Sequence, residues 1–463
     1  MPIFHHRSRI DAPIGEVFDW HGRAGALERL IPPWENVRVI ERRGGLEDGS
    51  RTVIGLRKGP LRIRWTAEHR DYVAGRQFVD EQVEGPFARW VHAHRFLPEG
   101  EDACVIEDEI DYVLPYGALG DWLMGGSVRR DLERSFPFRH RRVADDLARH
   151  SLYRERPRLK IAIAGASGLV GTHLSAFLKT GGHRVYRLVR RSPIPGADEI
   201  FWDPSRGDLD PADLMGLDAL VHLSGRSIGS WRWTPAVKRS IEYSRIASTH
   251  LLAETLAGMG QPPPTLICAS AIGYYGDRGD ETVDEGSAPG TGFLADLCER
   301  WEEASVAARD AGVRVVNLRI GLVLSGSGGV LQRMIVPFRL GLGGKLGGGR
   351  QYMSWISLDD LLGTILHALH SDDAIGPINA VSPQPVTNAD FTRTLGDVLR
   401  RPTFLHVPAV ALRALFGEMG QALFLEGARV RPSVLADAGF HYLHAELESV
   451  LRWELGRMPA RAR

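Results

Sequence analysis

The stretch Lys160-Ile-Ala-Ile-Ala-Gly165-Ala-Ser-Gly168-Leu-Val-Gly171 decides the fold of the larger part of this 463-residue chain. An apolar run enters a glycine-rich turn, and a helix should begin near Leu169. A side chain at Gly165 would obstruct the turn, one at Gly168 would keep the backbone from a pyrophosphate, and one at Gly171 would push the helix off the strand. The helix N-terminus offers free N–H groups and a partial positive charge to phosphates. This context predicts a dinucleotide-binding turn, and a purely structural turn is the alternative.

The next strand, Arg184–Val189, indicates which dinucleotide is bound, because it is followed by Arg190 and Arg191. Sites that select NAD place an acidic residue at this strand end to hold the ribose 2′-hydroxyl. A guanidinium suits a 2′-phosphate instead, through its charge and its bidentate geometry. The sequence therefore predicts NADP(H) as the cofactor. Two solvated surface arginines are the alternative.

Beyond the turn, apolar strands alternate with helical stretches, which is typical of a parallel sheet covered by helices. Strands are expected at residues 219–223, 265–270 and 313–320. This pattern predicts an α/β Rossmann domain, a doubly wound parallel sheet, over residues 159–385. A mostly helical C-terminal extension that contributes to the substrate region is expected over residues 386–463.

The N-terminal region, residues 1–150, has the pattern of short strands that end in a helix. Residues 105–114 alternate apolar and acidic side chains, as a half-exposed strand does. Residues 128–150 carry apolar side chains at helical spacing, which predicts an amphipathic helix interrupted near Pro137. The charged, proline-containing segment 151–158 has no apolar pattern and predicts an interdomain linker.

Composition excludes several classes of protein. Lys and Arg number 57, as do Asp and Glu, so the formal net charge is zero; a nucleic-acid-binding protein usually shows a basic excess, and we expect no such partner. Cys104, Cys268 and Cys298 have neither metal-ligand spacing nor an even number, which fits a reducing compartment. The N-terminus lacks a signal-peptide core, and no apolar run is long enough to cross a bilayer. We expect a cytoplasmic protein that is not an integral membrane protein.

Several segments after the glycine turn resemble the extended short-chain dehydrogenases. They are G-x-x-G-x-x-G from residue 165, VHLSG at 221–225, the serine strand CASAIGYYGD at 268–277, LRIG at 318–321 and WISLDD at 355–360. The run 321–360 is similar to the atypical "epimerase family" of this superfamily, which carries a small C-terminal extension. The resemblance covers about residues 159–451. A homodimer is a separate possibility that the sequence leaves open. The resemblance implies a cofactor site that comprises Gly165, Ser167, Gly168, Leu169, Val170, Gly171, Arg190, Arg191, Leu223, Ser224, Gly225 and Arg319.

The chain departs from this resemblance at the catalytic pair, Tyr-x-x-x-Lys, in which the tyrosine transfers a proton and the lysine lowers its pKa. Phe293 stands at the tyrosine position and Leu297 at the lysine position, and neither side chain can transfer a proton. Ser270, Tyr274 and Tyr275 are therefore the catalytic candidates, with a tyrosine as proton donor and the serine on a substrate carbonyl. The alternative is that both tyrosines only pack against the nicotinamide or the substrate.

Asp359 and Asp360 have two interpretations. They could bind substrate, but an aspartate at a helix start is more often an N-cap.

Residues 1–150 resemble the START-like superfamily, also called polyketide cyclase/coenzyme Q-binding or SRPBCC. The matching segments are 9–20, 65–69, 78–82, 85–96 and 111–115. The resemblance implies an α+β helix-grip domain, in which an antiparallel sheet wraps round a long C-terminal helix and an apolar cavity lies between them. An apolar small molecule or lipid is the expected ligand.

Alternation along one strand of this domain places Trp90, His92, His94 and Phe96 on one face. A His-x-His pair could ligate a metal, but no third ligand is evident from the sequence. We therefore expect no metal site, and we expect the histidines to be polar anchors in the cavity.

Two functions of different classes remain. The first is an NADP(H)-dependent oxidoreductase or sugar-nucleotide-epimerase-like enzyme that acts on an unknown small-molecule substrate, with an N-terminal domain that binds the apolar ligand. The second is a non-catalytic protein that senses NADP(H) and a lipid. Phe293 and Leu297 favour the second, whereas the serine strand, Arg319 and the segment 355–360 favour the first.

Overall fold

A computed structural model describes residues 3–229 and 231–458. The start of the predicted N-terminal domain, at residue 1, and the end of the predicted C-terminal extension, at residue 463, lie outside the described residues. Contacts divide the chain into two compact units. The first comprises Met1–Pro157 and Ala176–Gly182, and the second comprises Arg158–Ser175 and His183–Arg463.

The first unit is built on a seven-stranded antiparallel sheet. Its elements are β1 (Ile3–Ile10), α1 (Ile14–Gly22), α2 (Ala26–Leu30), β2 (Val37–Arg43), β3 (Arg51–Lys58), β4 (Leu61–Val73), β5 (Gln77–Glu84), β6 (Arg89–Pro98), β7 (Cys104–Val113), α3 (Gly117–Gly120) and α4 (Gly126–Ser151). The strand order is β1-β7-β6-β5-β4-β3-β2. Alternate strand residues such as Phe96 and Ile106 form one buried cluster with Val143 and Leu147 of α4. This is the predicted α+β helix-grip fold.

Helix α4 runs through Pro137 without a break, so the predicted interruption is wrong. Proline removes one helical N–H and costs roughly 3 kcal/mol in a helix interior. The side chains of Phe136, Phe138, Val143 and Leu147 are all buried along this helix. Each contributes about 1.5–3 kcal/mol when fully buried, and together they outweigh the proline.

The second unit is built on a seven-stranded parallel sheet with additional short elements, and residues 176–180 at the end of its first helix are counted with the first unit. Its elements are β8 (Lys160–Ala164), α5 (Leu169–Thr180), β9 (Arg184–Val189), β10 (Glu199–Phe201), β11 (Ala219–His222), α6 (Pro235–Ala257), β12 (Thr265–Ala271), β13 (Thr282–Val283), α7 (Phe293–Glu303), α8 (Val306–Asp310), β14 (Arg314–Ile320), β15 (Leu322–Ser325), α9 (Gly329–Arg339), β16 (Gly344–Leu346), β17 (Tyr352–Met353), β18 (Trp355–Ser357), α10 (Leu358–His370), β19 (Gly376–Ala380), β20 (Val386–Thr387), α11 (Asn388–Leu399), β21 (Leu405–Val407), α12 (Ala409–Phe416), α13 (Glu418–Gly420), β22 (Arg429–Val430), α14 (Ser433–Asp437) and α15 (Leu447–Glu454). The large sheet has the order β10-β9-β8-β11-β12-β14-β19.

Both faces of the large sheet are buried, as a parallel sheet requires. Ala162 and Ala164 of β8 pack with Leu252 and Leu256 of α6, whereas the intervening Ile161 and Ile163 are fully buried on the opposite face. The doubly wound α/β prediction is confirmed, and so is the helical character of the C-terminal region, where α11 and α15 share a core. Within residues 3–229 and 231–458, no helix has both the length and the apolar character needed to cross a membrane.

Candidate functional site

The glycine turn between β8 and α5 has the geometry that the sequence predicts. Gly165 has φ of 84°, a left-handed conformation that strongly favours glycine. A Cβ on Gly171 would lie 2.2 Å from the carbonyl oxygen of Gly165. A Cβ on Gly168 would meet only that same oxygen, at 3.3 Å. Gly168 and Ser167 are exposed at the start of α5, so the first N–H groups of the helix, including those of Leu169 and Val170, lie where a phosphate could approach.

The neighbouring strand end completes this cradle. A Cβ on Gly165 would lie 2.8–2.9 Å from the backbone of Leu223 and Ser224, and Leu223 N–H donates to the Ala164 carbonyl at 2.9 Å. The sheet order places β9 on one side of β8 and β11 on the other. The turn therefore lies at the point where the strand order reverses, which is where open α/β sheets bind ligands. The prediction that residues 165–171 and 223–225 act together is consistent with this geometry.

Arg190 and Arg191 have different surroundings, which the sequence did not reveal. The Arg191 guanidinium donates to both carboxylate oxygens of Glu199, at 2.7 and 2.8 Å. Arg187 also donates to that carboxylate. The hydrogen bonds from Arg191, above all, hold the pKa of Glu199 down at about 2. Arg190 has no ion pair with any described residue. Arg190 is thus the arginine whose charge is available at the end of β9.

Ser270 and Arg319 belong to one buried network centred on Glu302, a residue that sequence reasoning did not identify as functional. Ser270 Oγ donates to Glu302 Oε1 at 2.7 Å, and Arg319 donates to both Glu302 oxygens at 2.9 Å. Arg319 also donates to Tyr275 Oη at 3.0 Å and to the Glu285 carbonyl at 3.4 Å. Burial lowers the pKa of Arg319, but Glu302 outweighs this and raises it. Arg319 therefore has little donor capacity left for a cofactor, and its predicted cofactor contact stays a prediction.

The two adjacent tyrosines differ in what their hydroxyl groups do. Tyr275 is fully buried, accepts from Arg319 and donates to Asn379 Oδ1 at 2.7 Å. Burial raises the pKa of Tyr275 to about 12. Tyr274 is partly exposed, and its hydroxyl bonds to no described residue. The Arg319 guanidinium carbon lies 3.5 Å from the centroid of the Tyr274 ring. Tyr274 is consequently the tyrosine whose hydroxyl is uncommitted among the described residues.

The positions of the usual catalytic pair are apolar in structure as well as in sequence. Phe293 begins α7, and its ring packs edge-on against Trp233 with 5.1 Å between centroids. Leu297 is buried in the same cluster. Lys238 of α6 lies over the Phe293 ring, with Nζ 4.7 Å from the centroid, but its ammonium also pairs with Glu418. No proton path runs through Phe293 or Leu297.

Asp359 and Asp360 have structural roles. Asp360 accepts from the backbone N–H of Leu443 at 2.7 Å and from that of His444 at 3.1 Å, while Trp453 Nε1 donates to Asp359 at 3.0 Å. Both carboxylates are buried. The N-cap of α10 is Ser357, whose Oγ accepts from the Asp360 N–H at 2.9 Å. Neither aspartate is the N-cap, so that interpretation is wrong as to the residue; both carboxylates lie in the first turn of α10 and have structural hydrogen-bond partners.

In the first unit, Trp90, His92, His94 and Phe96 lie on the inner face, as predicted. The structure adds a ligand-type residue that the sequence analysis missed, because Asp80 of β5 lies beside His94, with 3.2 Å between Oδ2 and Nε2. Burial lowers the pKa of His92 to about 4. Burial would also lower the pKa of His94, but nearby carboxylates, above all Asp108, raise it to about 9.

Comparison with known proteins identifies the family. The epimerase family protein Mb2239 of Mycobacterium bovis is 46% identical over 297 residues, which make up 64% of this chain and 98% of that protein. This chain belongs to the epimerase family. Human epimerase family protein SDR39U1 is 35% identical over 64% of this chain and 99% of its own length. Family models match at three places: polyketide cyclase/dehydrase and lipid transport at 10–136, the NAD dependent epimerase/dehydratase family at 161–381, and a domain of unknown function at 407–454.

Two solved structures agree with this assignment. The nucleoside-diphosphate sugar epimerase from Corynebacterium glutamicum is 33% identical, superimposes with a TM-score of 0.82, and covers 98% of this chain and 90% of its own. Human epimerase family protein SDR39U1 (isoform 2), solved with NADPH, is 33% identical, with a TM-score of 0.60 over 65% of this chain and 100% of its own. The similarity to an epimerase family with an N-terminal START-like domain, expected from the sequence, is confirmed.

Proposed function

We propose that the second unit binds NADP(H) on the turn at residues 165–171, with Arg190 on the 2′-phosphate. The observation that carries this proposal is the pairing of an open glycine cradle with one unpaired guanidinium at the end of β9. A Cβ built on Gly168 would meet only the Gly165 oxygen, so the space beyond Gly168 is open on the side where a pyrophosphate would lie. Because Gly168 has no side chain, the phosphate can approach the backbone there. The NADPH in the human relative's structure supports the same cofactor.

A fluorescence titration with NADPH and NADH tests this proposal, and Arg191→Ala is the matched control. We expect Arg190→Ala to weaken NADPH binding at least roughly tenfold, because a charge-assisted contact with phosphate is lost. NADH binding should change little in that variant. Arg191→Ala should affect NADPH less than Arg190→Ala does, because Glu199 already holds its guanidinium. Equal effects of the two substitutions would contradict the assignment of Arg190, and no binding of either nucleotide would contradict the cofactor.

We further propose that the chain is an NADP(H)-dependent oxidoreductase or epimerase-like enzyme that acts on a small molecule, with Tyr274 as the proton-transferring residue. The bound nicotinamide would supply hydride chemistry, and the protein would supply orientation and the proton. The Arg319 guanidinium carbon lies 3.5 Å from the centroid of the Tyr274 ring, which places a cation next to the proposed proton donor, where the lysine of the usual pair is missing. Glu302 positions Arg319 and Ser270. The name of the Corynebacterium relative makes sugar nucleotides the first substrates to test.

The corresponding experiment incubates the full chain and NADP(H) with a panel of nucleoside-diphosphate sugars and follows nicotinamide absorbance and product epimers. Once a turnover is found, we expect Tyr274→Phe to abolish it, whereas Tyr275→Phe should retain a measurable fraction. Unchanged turnover in Tyr274→Phe would remove this residue from the mechanism.

The second candidate function is a non-catalytic sensor of NADP(H) and a lipid, and the apolar surroundings of Phe293 and Leu297 favour it. A sensor binds NADPH without exchanging its hydride with any carbonyl substrate. Failure of every substrate, with NADPH binding intact and altered by a lipid, would establish this alternative.

We also propose that the first unit binds an apolar small molecule or lipid, which the description of its matched family supports. Displacement of a fluorescent fatty acid from the full chain tests this, and no displacement by any apolar ligand would contradict it.

The cytoplasm remains our proposed location, because Cys104, Cys268 and Cys298 are buried and free. The homodimer stays a prediction that sedimentation of the full chain can measure.

A further inference from the structure

The inner face of the first unit holds a polar cluster that the proposed function does not use. Antiparallel pairing sets His69 of β4 opposite Asp80 of β5, Asp80 opposite His92 of β6, and His94 of β6 opposite Asp108 of β7. Four consecutive strands of the sheet thus bring these five side chains together. His92 and His94 are in ring contact, with 3.8 Å between centroids.

We propose that Asp80, His92 and His94 bind one divalent first-row transition-metal ion on this face. One ligand atom from each residue lies within 4.8 Å of the other two. The separation of 3.2 Å between His94 Nε2 and Asp80 Oδ2 is close to the edge of about 3.3 Å of a tetrahedron whose metal–ligand bonds are about 2.0–2.1 Å. Two imidazoles and one carboxylate form a donor set suited to Zn²⁺ and Fe²⁺.

The groups around these three residues orient them as outer partners orient metal ligands. His94 Nδ1 donates to Asp108 Oδ1 at 2.6 Å and its Nε2 donates to Asp80 Oδ2, so an ion bound there would take the place of the Nε2 proton. His69 Nε2 donates to Asp80 Oδ1 at 2.8 Å, which leaves Oδ2 directed to His94. His92 Nε2 donates to Asp108 at 2.9 Å and so leaves its Nδ1 for an ion. A carboxylate behind a ligating histidine is the usual outer shell of a protein metal site.

Charge compensation points the same way. Asp108 is only 3% exposed, and every ion-pair partner of Asp80 and Asp108 among the described residues is a histidine. Carboxylates withdrawn from water require a counter-charge, which here comes from a protonated histidine or, when His92 and His94 are neutral, from a bound cation. A divalent cation would balance the two carboxylates.

Metal uptake by the full chain, purified without a polyhistidine tag, tests the site. The protein is stripped with a chelator, dialysed and titrated calorimetrically with Zn²⁺, and a parallel sample receives Co²⁺ for absorption spectroscopy. We expect one ion per chain and visible Co²⁺ bands of a low-coordinate site with nitrogen and oxygen ligands. Asp80→Asn and His94→Gln should each weaken Zn²⁺ binding at least roughly 100-fold, beyond the effect expected of an outer-shell residue.

His5→Gln is the matched control, because His5 lies on the same sheet with a side chain that is 57% exposed, and it should bind Zn²⁺ like the parent. Circular dichroism and NADPH titration verify that each variant is folded. If a ligand variant fails to fold, the Co²⁺ spectrum and stoichiometry of the parent still decide the matter. No stoichiometric ion in the parent, or binding lost with His5→Gln, or binding kept in both ligand variants, would each overturn the proposal and leave a hydrogen-bonded cluster.

Discussion

The dinucleotide turn of the second unit and the polar inner face of the first unit are built in opposite ways. The turn uses seven consecutive residues, 165–171, and presents backbone N–H groups. The inner-face cluster uses one or two side chains from each of four strands, together with His140 of α4, which pairs with Asp108. A site made of backbone is recognisable as a motif, whereas a site made of dispersed side chains depends on strand register. The two sites should therefore also fail in different ways when they are mutated.

The largest effect is expected where the cluster depends on one carboxylate. Asp108→Ala removes the partner of His92, His94 and His140 and should lower the free energy of unfolding by about 3–5 kcal/mol, as removal of one partner from a buried charged pair does. The adjacent Glu109→Ala, whose side chain is 34% exposed on the other face, should cost no more than about 1 kcal/mol. Chemical denaturation of both variants measures the difference. Similar losses of unfolding free energy in Asp108→Ala and Glu109→Ala would show that carboxylates on the inner and outer faces of the sheet contribute equally to stability.

The corresponding test of the turn is steric. Gly165→Ala places a Cβ 2.8 Å from backbone in a left-handed conformation and should lower the free energy of unfolding by about 2–4 kcal/mol. NADPH binding should be lost. Gly196→Ala has a similar φ of 80° but open space around the new Cβ, so it should cost only about 1–2 kcal/mol. Equal denaturation midpoints for the two variants would contradict a role for close packing.

Within the second unit, Tyr275 and Tyr274 allow a structural role and a proposed catalytic role to be compared in adjacent residues. Tyr275→Phe leaves Asn379 without its buried donor and should lower the free energy of unfolding by about 1–2 kcal/mol. Tyr274→Phe should change it by less than about 0.5 kcal/mol. Urea denaturation distinguishes the variants. Loss of stability in Tyr274→Phe but not in Tyr275→Phe would reverse the assignment.

The stabilising contribution of Tyr275 should also depend on pH. Its folded pKa, about 12, lies above the ordinary value near 10, so folding favours the neutral phenol. The contribution is complete below pH 10 and is lost as pH rises from 10 to 12. The difference in urea midpoint between the parent and Tyr275→Phe should therefore shrink between pH 8 and pH 11. A constant difference would contradict the raised pKa.

The smallest effect is expected at the N-cap of helix α10, which acts only on its own helix end. Ser357→Ala removes the N-cap of α10 and should lower the free energy of unfolding by about 1 kcal/mol. Ser357→Thr keeps an oxygen in place and should restore most of the loss. An unchanged denaturation midpoint in the alanine variant would show that packing alone holds this helix start.

Much of the second unit was predictable because its signals are contiguous. The expected strands at 219–223, 265–270 and 313–320 are present. A side chain at Gly165 or Gly171 would lie too close to neighbouring backbone, as the glycine motif predicts. The domain limits at 150, 158 and 385 stay predictions. Glu302 was missed because its importance comes from α7 facing β14, a packing relation that spacing along the chain does not record. Asp80 was missed because it pairs with His92 only through the register of β5 and β6.

The sequence by itself determined the alternation of strands and helices, the backbone-made cradle and the loss of the usual catalytic pair, because each depends on residue type over a short span. Only the tertiary structure decided which of two adjacent arginines is free, which of two adjacent tyrosines has an uncommitted hydroxyl, and which carboxylate meets the paired histidines. Those outcomes depend on Glu199, Asn379 and Asp80, which lie 8, 104 and 12 residues away from Arg191, Tyr275 and His92 respectively. Contacts of that kind exist only after strands have chosen their partners, because hydrogen bonds and ion pairs form over a few ångströms in space whatever the separation in sequence.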